Sequence, residues 1–356
     1  MMASLHVDNR SCCSARIRLI VIAAGLIVAA LGGKAASAQQ AELQRFEFTE
    51  VHMGMSFKLL FYATDQPAAN RASAAAFTRI AELNRILSDY VPQSELSRFS
   101  AGSPHSVPVR LSEPLWLVLS RSQELARRSD GAFDVTVGPY VRLWRRARRE
   151  KQMPTDQRLA EARSAVGHRL LELDAAKKSA RLLQPSMRLD LGGIAAGYAV
   201  DEALAALKRH GIKSALVDAS GDVAVSDPPP GKPGWRIGVA PLTADGPASR
   251  YLSLANSAVT TAGDAYQFVV LDGKRYSHIV DPRTGLGMTD QSTVVVVAPD
   301  CLTADGLDTA VSAMQPAAGL KLVDETPGAA AIILRTNNGM LQTFESSRFK
   351  DVPHAK

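Results

Sequence analysis

The chain has 356 residues, 46% of them hydrophobic and 21% charged, and its formal net charge at pH 7 is +6. This composition excludes an intrinsically disordered chain, which is poorer in apolar residues, and a membrane protein with many spans, which has more long apolar runs. The length allows one large domain or two of ordinary size. The excess of basic residues suggests an acidic partner, such as nucleic acid or lipid headgroups.

The N-terminus has the pattern of a secretory signal peptide. Basic residues precede an apolar run over residues 19–31, and small residues follow it at 36–38. This arrangement predicts a cleaved signal peptide over residues 1–38 and a mature chain over 39–356. The expected location is the periplasm, and peripheral association with the inner membrane is compatible with it. An uncleaved N-terminal anchor is the alternative.

The predicted signal peptide also accounts for half of the net charge. Residues 1–38 hold four basic residues and one acidic residue, a net of +3. The remaining +3 is ordinary for a soluble protein, so the charge does not indicate nucleic acid as a partner. Cys12 and Cys13 lie in the same segment, and Cys301 is left alone in the mature chain. We interpret Cys301 as a small buried apolar residue, with no intramolecular disulfide in the mature chain.

Hydrophobic periodicity in the first half of the mature chain predicts both strands and helices. The predicted strands cover residues 45–51 and 56–63, the predicted helices 66–87, 112–128 and 156–166, a hairpin joins 170–174 to 179–183, and a fourth helix covers 195–210. Ser112 is the expected N-cap of the second helix, and Gly211 is the expected end of the fourth.

The second half is predicted to consist mainly of strands. In chain order they cover residues 215–217, 235–240, 251–254, 268–271, 275–280 and 293–298, followed by a helix over 302–314 and a hairpin that joins 329–334 to 340–344. The segment 228–231 is predicted to be a loop rather than a domain linker, because a single strand on either side could not bury itself. Helices and strands do not alternate strictly, so the fold class is α+β rather than a doubly wound parallel sheet.

Four polar, glycine-rich segments interrupt these elements with residue types that bind ligands. They cover residues 131–139, 190–201, 260–264 together with 278–285, and 303–310. In the second segment, glycines at a turn from strand to helix let backbone N–H groups approach phosphate oxygens. A purely structural turn is an equal alternative, and the segment lacks the G-x-G-x-x-G pattern of a Rossmann site.

The last two segments carry titratable groups. His278, Asp281 and Arg283 place a base, a carboxylate and an anion-binding guanidinium close together, and a polar turn with a solvated arginine is the alternative. Asp305 and Thr309 are four residues apart, so they share one face of a helix and can offer two oxygen ligands to a hard cation. A simple acidic residue at a helix N-terminus is the alternative for Asp305.

Taken together and in this order, the segments resemble the ApbE-like family of FAD:protein FMN transferases. The matching stretches cover residues 53–55, 88–90 with 94–99, 131–144, 190–201, 220–222, 261–264, 278–285 and 304–310. They extend over nearly the whole mature chain, so the resemblance implies that residues 39–356 form one ApbE-like flavin transferase domain.

The resemblance implies a T-fold-like α+β architecture of largely antiparallel sheets flanked by helices. It also implies an enzyme that binds FAD and Mg²⁺, attaches FMN to a Thr or Ser hydroxyl of an acceptor flavoprotein by a phosphoester bond, and releases AMP. Two alternatives stay open: a periplasmic FAD pyrophosphatase, which produces FMN and AMP, and a flavin-binding protein without catalysis. Neither nucleic acid as a partner nor a membrane span in the mature chain is expected.

The resemblance also assigns residues to the two ligands. The implied FAD-binding residues are Met53, Tyr90, Ala132, Phe133, Asp134, Asp190, Ala196, His278, Ile279 and Arg283. Met53 and Tyr90 line the flavin pocket in this assignment, and Tyr90 offers an aromatic face. The implied Mg²⁺ ligands are Asp305, Thr309 and the backbone carbonyl of Gly193, and Asp308 is either an extra ligand or points outward.

His278 is the candidate base for the acceptor hydroxyl or for water, since a neutral histidine accepts a proton at physiological pH. Asp264 or Asp281 is expected to orient its ring. Arg283 either steadies phosphate charge or fixes its own turn, and both roles stay open.

The chain departs from the family pattern at Ala196, where members commonly have a lysine, so one cationic contact to phosphate is expected to be missing. Smaller departures are Ser220 and Ala262. The basic stretch 144–149 is interpreted as a solvated helix face rather than as a nucleic-acid site, because no aromatic stacking platform accompanies it.

Overall fold

An eight-stranded sheet carries the helices that hold the candidate functional residues. The structure, a computed structural model, describes residues 42–239, 242, 248, 250–264, 267–337 and 340–355. The predicted signal peptide, with its two cysteines, lies outside the described residues. Within the described ranges, no helix is long and apolar enough to cross a membrane.

The strands form one large and three small sheets. The described strands are β1 (Gln44–His52), β2 (Met55–Ala63), β3 (Val109–Arg110), β4 (Leu171–Asp174), β5 (Ser179–Leu182), β6 (Ala215–Ala219), β7 (Asp222–Val225), β8 (Trp235–Gly238), β9 (Tyr251–Leu254), β10 (Ser257–Gly263), β11 (Phe268–Leu271), β12 (Lys274–Ser277), β13 (Ser292–Ala298), β14 (Ala330–Asn337) and β15 (Met340–Glu345). The large sheet has the order β1-β2-β6-β7-β10-β13-β14-β15, and each neighbouring pair is antiparallel. The small sheets are β3-β5-β4, β8-β9 and β11-β12.

Side-chain caps explain where several helices begin. The described α-helices are α1 (Gln66–Leu87), α2 (Glu95–Ala101), α3 (Glu113–Arg128), α4 (Gly138–Glu150), α5 (Asp156–Arg163), α6 (Ala195–Arg209), α7 (Cys301–Ser312) and α8 (Pro316–Asp324). The Asp65 side chain accepts a hydrogen bond from the N–H of Ala68 at the start of α1, and Asp300 accepts one from Thr303 at the start of α7. Ser112 precedes α3 as predicted, but its hydroxyl makes no capping hydrogen bond.

The large sheet is buried on both faces, as the apolar run of β13 predicts. Val294 and Val296 lie in the main core with α1, α6 and α7, whereas Val295 and Val297 lie in a second core on the opposite face. Successive side chains of a strand point to opposite faces, so a strand covered on both sides needs an unbroken apolar run. Cys301 is fully buried in the main core, which confirms its predicted role.

Several elements differ from the predictions. The third predicted helix ends at Arg163, β12 ends at Ser277, and most of the segment 260–264 belongs to the end of β10. No element was predicted for α2, α8, β3, β7 or β10, and α4 was predicted only as a helix face over residues 144–149. Most of these are short, and α4 is dominated by charged residues, so their apolar periodicity is weak.

Helix α4 has a narrow apolar face that fixes its rotation. Tyr140, Trp144 and Ala147 follow helical spacing and are buried in a third core with Val269 and Val280. This packing decides which arginines of α4 face the functional residues. The interpretation of residues 144–149 as a solvated face is therefore wrong for Trp144, which is 2% exposed.

Candidate active site

Helices α6 and α7 approach closely and bring the predicted metal ligands together. A Cβ at Gly197 would lie 2.3 Å from the carbonyl oxygen of Cys301, so only glycine allows this approach. The N–H of Gly197 donates a 2.8 Å hydrogen bond to Asp305 Oδ2. A Cβ at Gly193 would lie 2.6 Å from Thr309 Oγ1, so Gly193 and Thr309 are direct neighbours.

Asp305 and Asp308 are both buried on α7. Burial raises the pKa of each carboxyl group well above its usual range, and the charge of Asp222 raises both further. Burial, together with the charge of Asp218, raises the pKa of Asp222 to about 7. Among the described residues, neither Asp305 nor Asp308 forms an ion pair with a lysine or an arginine. The region therefore favours either bound protons or a bound cation.

These residues fit a Mg²⁺ site by the chemistry of their donor atoms. Mg²⁺ takes hard oxygen ligands, usually one or two carboxylates completed by substrate phosphates and water. Asp305, Thr309 and the carbonyl of Gly193 supply such oxygens. The described part of the chain holds no group of three or more His, Cys, Asp or Glu side chains arranged for a metal, so other oxygens have to complete the shell. Asp308 is only 2% exposed, so the alternative that it points outward is wrong.

Arg145 on α4 connects the segment around Tyr90 with the glycine-rich turn at 190–201. Its guanidinium forms ion pairs with Asp89 and, at 3.0 Å, with Asp190 Oδ2, and it lies 4.1 Å from the centroid of the Tyr90 ring. Burial, followed by the charge of Asp89, raises the pKa of Asp190, and Arg145 opposes this shift. The N–H of Gly192 donates a 2.9 Å hydrogen bond to Asp190 Oδ1. Both carboxylate oxygens of Asp190 are thus held at the start of the turn that leads to α6.

The position of Arg145 follows from the packing of α4 on the turn within 278–285. Trp144 Nε1 donates a 2.8 Å hydrogen bond to the carbonyl oxygen of Gly285. Gly285 has φ +77°, and a Cβ there would lie 2.6 Å from the Tyr140 ring. Backbone conformation and close approach both require glycine at this position. This contact fixes α4 against the segment 278–285.

His278 follows β12 and has one ring nitrogen engaged. Its Nδ1 lies 3.1 Å from the carbonyl oxygen of Gln267, and its backbone N–H donates to the same oxygen at 3.0 Å. Because a carbonyl oxygen only accepts hydrogen bonds, Nδ1 carries the proton and Nε2 presents a lone pair. Burial is the main cause that lowers the pKa of His278 below its usual 6.5, and the charge of Arg148 lowers it further. The ring is therefore neutral at physiological pH, as a general base must be.

The carboxylates expected to orient His278 bind other groups. Asp264 accepts a 2.9 Å hydrogen bond from Arg275 Nε, and Asp281 accepts hydrogen bonds from Arg283. Asp264 acts on His278 through its charge, which raises the pKa of the ring. The ring of His278 thus donates its hydrogen bond to a backbone carbonyl rather than to either carboxylate.

Arg283 is held by its own turn and by the end of α7. Its Nε and Nη2 donate to the two oxygens of Asp281 at 2.9 and 3.0 Å, and Nη2 also donates to the carbonyl oxygen of Ala313 at 2.6 Å. Of the two roles considered for Arg283, these contacts support the fixing of the turn.

The family resemblance also assigns Met53, Ile279 and Ala196 to FAD. Met53 is in the hairpin turn between β1 and β2, has φ +53°, and packs against the main core. Ile279 is half-buried beside His278. Ala196 is buried in the first turn of α6, so its methyl group provides no cation for phosphate.

The segment 132–134 is buried. Ala132, Phe133 and Asp134 are each at most 6% exposed. Asp134 Oδ1 accepts hydrogen bonds from the N–H and the hydroxyl of Thr136 at 2.8 and 2.7 Å. The Asp134 carboxylate is thus engaged within its own segment.

Sequence reasoning did not assign roles to three side chains of this region: Asp89, Arg145 and Asp222. Asp89 and Asp222 lie inside matched motifs, so the family resemblance could have identified them as candidate site residues. Arg145 directly follows the matched stretch 131–144, and only the rotation of α4 shows that it, rather than the next arginine, faces Asp190.

Comparison with known proteins identifies the family. The model of the ApbE family matches residues 53–333. A FAD:protein FMN transferase of Haemophilus influenzae is 32% identical over 283 residues, which cover 77% of this chain and 81% of that protein. Another, from Vibrio cholerae, is 29% identical over 303 residues, which cover 84% and 90% of the two chains. The structure of a flavin transferase ApbE from Vibrio cholerae matches with a TM-score of 0.79 at 27% identity and covers 87% of this chain and 100% of that chain.

The chain belongs to the ApbE family. The predicted family, the α+β fold with largely antiparallel sheets, and the enzyme class, a transferase, are confirmed.

Proposed function

We propose that the chain is an exported, Mg²⁺-dependent FAD:protein FMN transferase, with a signal peptide over residues 1–38 and a transferase domain over 39–356. It cleaves the pyrophosphate of FAD, attaches FMN to a Thr or Ser hydroxyl of an acceptor flavoprotein in the periplasm, and releases AMP. The observation that carries the proposal is the buried pair Asp305 and Asp308, which lies beside Thr309 without a cationic partner among the described residues. The names of the similar proteins support the same activity.

In the proposed reaction, the acceptor hydroxyl attacks the phosphorus of the FMN half of FAD. A bond forms between the hydroxyl oxygen and this phosphorus, and the bond from the phosphorus to the bridging oxygen breaks, so that AMP leaves. The proton of the hydroxyl passes to His278 Nε2, because Nδ1 is committed to the carbonyl of Gln267. Mg²⁺, when bound, withdraws charge from pyrophosphate oxygens.

Arg145 and Tyr90 support the proposed position of FAD. Arg145 places a positive charge beside Asp190, in a chain that has no lysine at position 196. Tyr90 is 69% exposed and is held from one side by this guanidinium. An exposed ring fixed in this way offers an aromatic surface to a flavin.

The proposal is tested by incubating residues 39–356 with FAD, Mg²⁺ and a candidate acceptor domain. We expect the acceptor to gain the mass of FMN and covalent fluorescence, with one AMP released per flavin attached, and chelation of the metal to stop both. Free FMN and AMP with an unlabelled acceptor would indicate a pyrophosphatase. Intact bound FAD would indicate a binding protein. An Asp305→Ala variant with full metal-dependent activity would contradict the metal assignment.

A further inference from the structure

Beside the candidate active site lies an open groove of about 1460 Å³ that is lined by arginines. It is larger than the pockets of roughly 300–1000 Å³ that usually hold a small molecule. We call it the arginine groove because six arginines line it. They are Arg142, Arg145, Arg146, Arg149, Arg158 and Arg188. Three acidic residues, Asp89, Glu150 and Glu161, also line it.

One wall of the arginine groove is a face of α4. Arg142, Arg145, Arg146 and Arg149 are spaced i, i+3, i+4 and i+7, so they lie on the same side of the helix. This stripe is about 10 Å long at 1.5 Å per residue. An extended peptide advances about 3.3 Å per residue, so three or four of its residues would lie along the stripe.

Arg188 also lines the groove, and a glycine sets the distance between its backbone and the start of α4. A Cβ at Gly138 would lie 2.6 Å from the carbonyl oxygen of Arg188, and Val137 pairs with Arg188 in an isolated parallel bridge. The start of α4 is therefore pressed against this segment. The charge of Arg142, one turn further on, acts unfavourably on the Arg188 guanidinium. The fold thus keeps two like charges together in an open groove.

The acidic residues of the groove do not neutralise these two arginines. Asp89 is paired with Arg145, and Glu150 is paired with Arg146. In the part of the chain that the structure describes, neither Arg142 nor Arg188 forms an ion pair. Guanidinium groups bind carboxylates in paired hydrogen bonds, so a ligand with carboxylates would complete this arrangement.

We propose that the arginine groove binds an acidic segment of the acceptor protein, next to the Thr or Ser that receives FMN. This inference rests on the proposed function. Arg145 lines the groove and also binds Asp190, so the groove adjoins the region assigned to FAD. An acceptor segment bound in the groove would therefore lie beside that region. The concave shape and the length of the stripe fit an extended chain rather than a flat membrane.

The test measures peptide binding without FAD or Mg²⁺, so it does not depend on catalysis. A fluorescein-labelled peptide with a threonine flanked by glutamates is compared with the same peptide carrying glutamines, by fluorescence anisotropy at low ionic strength. We expect the glutamate peptide to bind about tenfold more tightly, and added salt to weaken it. An Arg142→Gln/Arg188→Gln double variant should lose this preference. Arg71→Gln, at an exposed arginine of α1 outside the groove, should keep it.

Three results would overturn the inference. The first is equal affinity for both peptides, and the second is an undiminished preference of the double variant for the glutamate peptide. The third is complete competition by pyrophosphate at the concentration of the peptide, which would indicate a site for small anions. Binding to phosphatidylglycerol vesicles that disappears in the double variant, without binding of the peptide, would assign the groove to a membrane instead. Thermal unfolding checks that the double variant is folded, and Arg188→Gln alone replaces it if it is not. Binding without FMN transfer would leave the groove assigned and the proposed function contradicted.

Discussion

The region around α7 and the region along α4 carry charge in opposite ways. The α7 region holds the carboxyl groups of Asp305 and Asp308 inside the protein, where burial and the charge of Asp222 raise their pKa. The α4 region holds arginines at the surface, where Arg142 and Arg188 face an open groove. Both regions concentrate one sign of charge, but only the first removes that charge from water.

This difference determines what each region can bind. A buried pair of carboxylates suits one small cation, whose remaining ligands can be phosphate oxygens. An exposed stripe of arginines about 10 Å long suits an extended anion that stays at the surface. Neither conclusion could be drawn from the net charge of +6. The predictions below alter one region at a time, beginning with the largest expected effect.

Asp305→Asn tests the buried region most directly. We expect FMN transfer to fall by about 10³-fold, because a metal that stabilises the transition state contributes several kcal/mol, and about 4 kcal/mol corresponds to this factor. Calorimetric titration with Mg²⁺ should show the loss of binding. Asp300→Ser is the matched control, since serine keeps the N-cap of α7 and the residue lies outside the ligand set. Equal losses in both variants would indicate damage to α7 rather than to a metal site.

The same variant should be more stable than the wild type in the absence of metal. A carboxyl group whose pKa is raised by folding contributes stability below its unfolded pKa, and this contribution is lost as the pH rises through the raised folded pKa. Between pH 4 and pH 8 the wild type progressively loses this contribution, because the pKa of Asp305 is raised well above its usual range, whereas asparagine does not titrate. We expect the Tm of Asp305→Asn without metal to be about 2–4 °C higher at pH 8, with the difference shrinking toward pH 4. Added Mg²⁺ should raise the Tm of the wild type alone.

The proximity of the residues in this buried region could be predicted from the sequence because the information is local. Asp305 and Thr309 share a helix at a spacing that fixes their common face. Gly193 came from the family resemblance, and the structure gives its physical reason, since Thr309 leaves no space for a side chain there. The burial of Asp308 could not be predicted in the same way, because it depends on how β10 and β13 cover α7.

His278→Asn tests the proposed base. Asparagine can still donate to the carbonyl of Gln267 in place of Nδ1–H, but it has no basic nitrogen in place of Nε2. We expect kcat to fall by roughly 10²-fold or more, with the KM for FAD little changed. A large rise in the KM with an unchanged kcat would indicate a role in binding instead.

The pH dependence of the wild type provides a separate test of His278. Burial lowers its pKa below 6.5, so the ring stays neutral, and able to accept a proton, through neutral pH. The rate should be constant at neutral pH and fall only as the pH drops below 6.5 through the lowered pKa. The His278→Asn variant should lack this acidic limb in single-turnover measurements. A wild-type limb centred above pH 6.5 would contradict the assignment.

Arg145→Gln tests the point where the basic region meets the FAD site. The variant loses charged hydrogen bonds to Asp89 and Asp190, each typically worth about 1.5–3 kcal/mol. We expect the Kd for FAD to rise by roughly 10- to 100-fold, as measured by flavin fluorescence, with Arg145→Lys intermediate because an ammonium cannot bridge two carboxylates in the same way. Arg146→Gln is the matched control, since its exposed pair with Glu150 contributes little. Equal effects at both positions would make the charge of α4, rather than the contacts of Arg145, responsible.

The sequence predicted this basic region poorly because its information is tertiary. Arg145 and Arg146 are adjacent and chemically identical, yet one is bound to Asp190 and the other to Glu150 on the same helix. The choice is made by Trp144, whose indole is fixed by the carbonyl of Gly285 far along the chain. A stretch dominated by charged residues gives little apolar periodicity from which this rotation could be read.

Tyr90 allows the finest distinction, because its ring and its hydroxyl can be separated. The ring receives Arg145 at 4.1 Å, a contact worth about 0.5–1 kcal/mol at an exposed site. Tyr90→Ala should therefore raise the Kd for FAD by about two- to fivefold through the loosened guanidinium alone, and by more if the flavin stacks on the ring. Tyr90→Phe keeps the ring and should bind FAD like the wild type. A role limited to holding Arg145 would make Tyr90→Ala add little in an Arg145→Gln background. We expect part of the loss to persist there, because the proposed stacking of flavin requires the ring itself, and a complete absence of additivity would contradict that stacking.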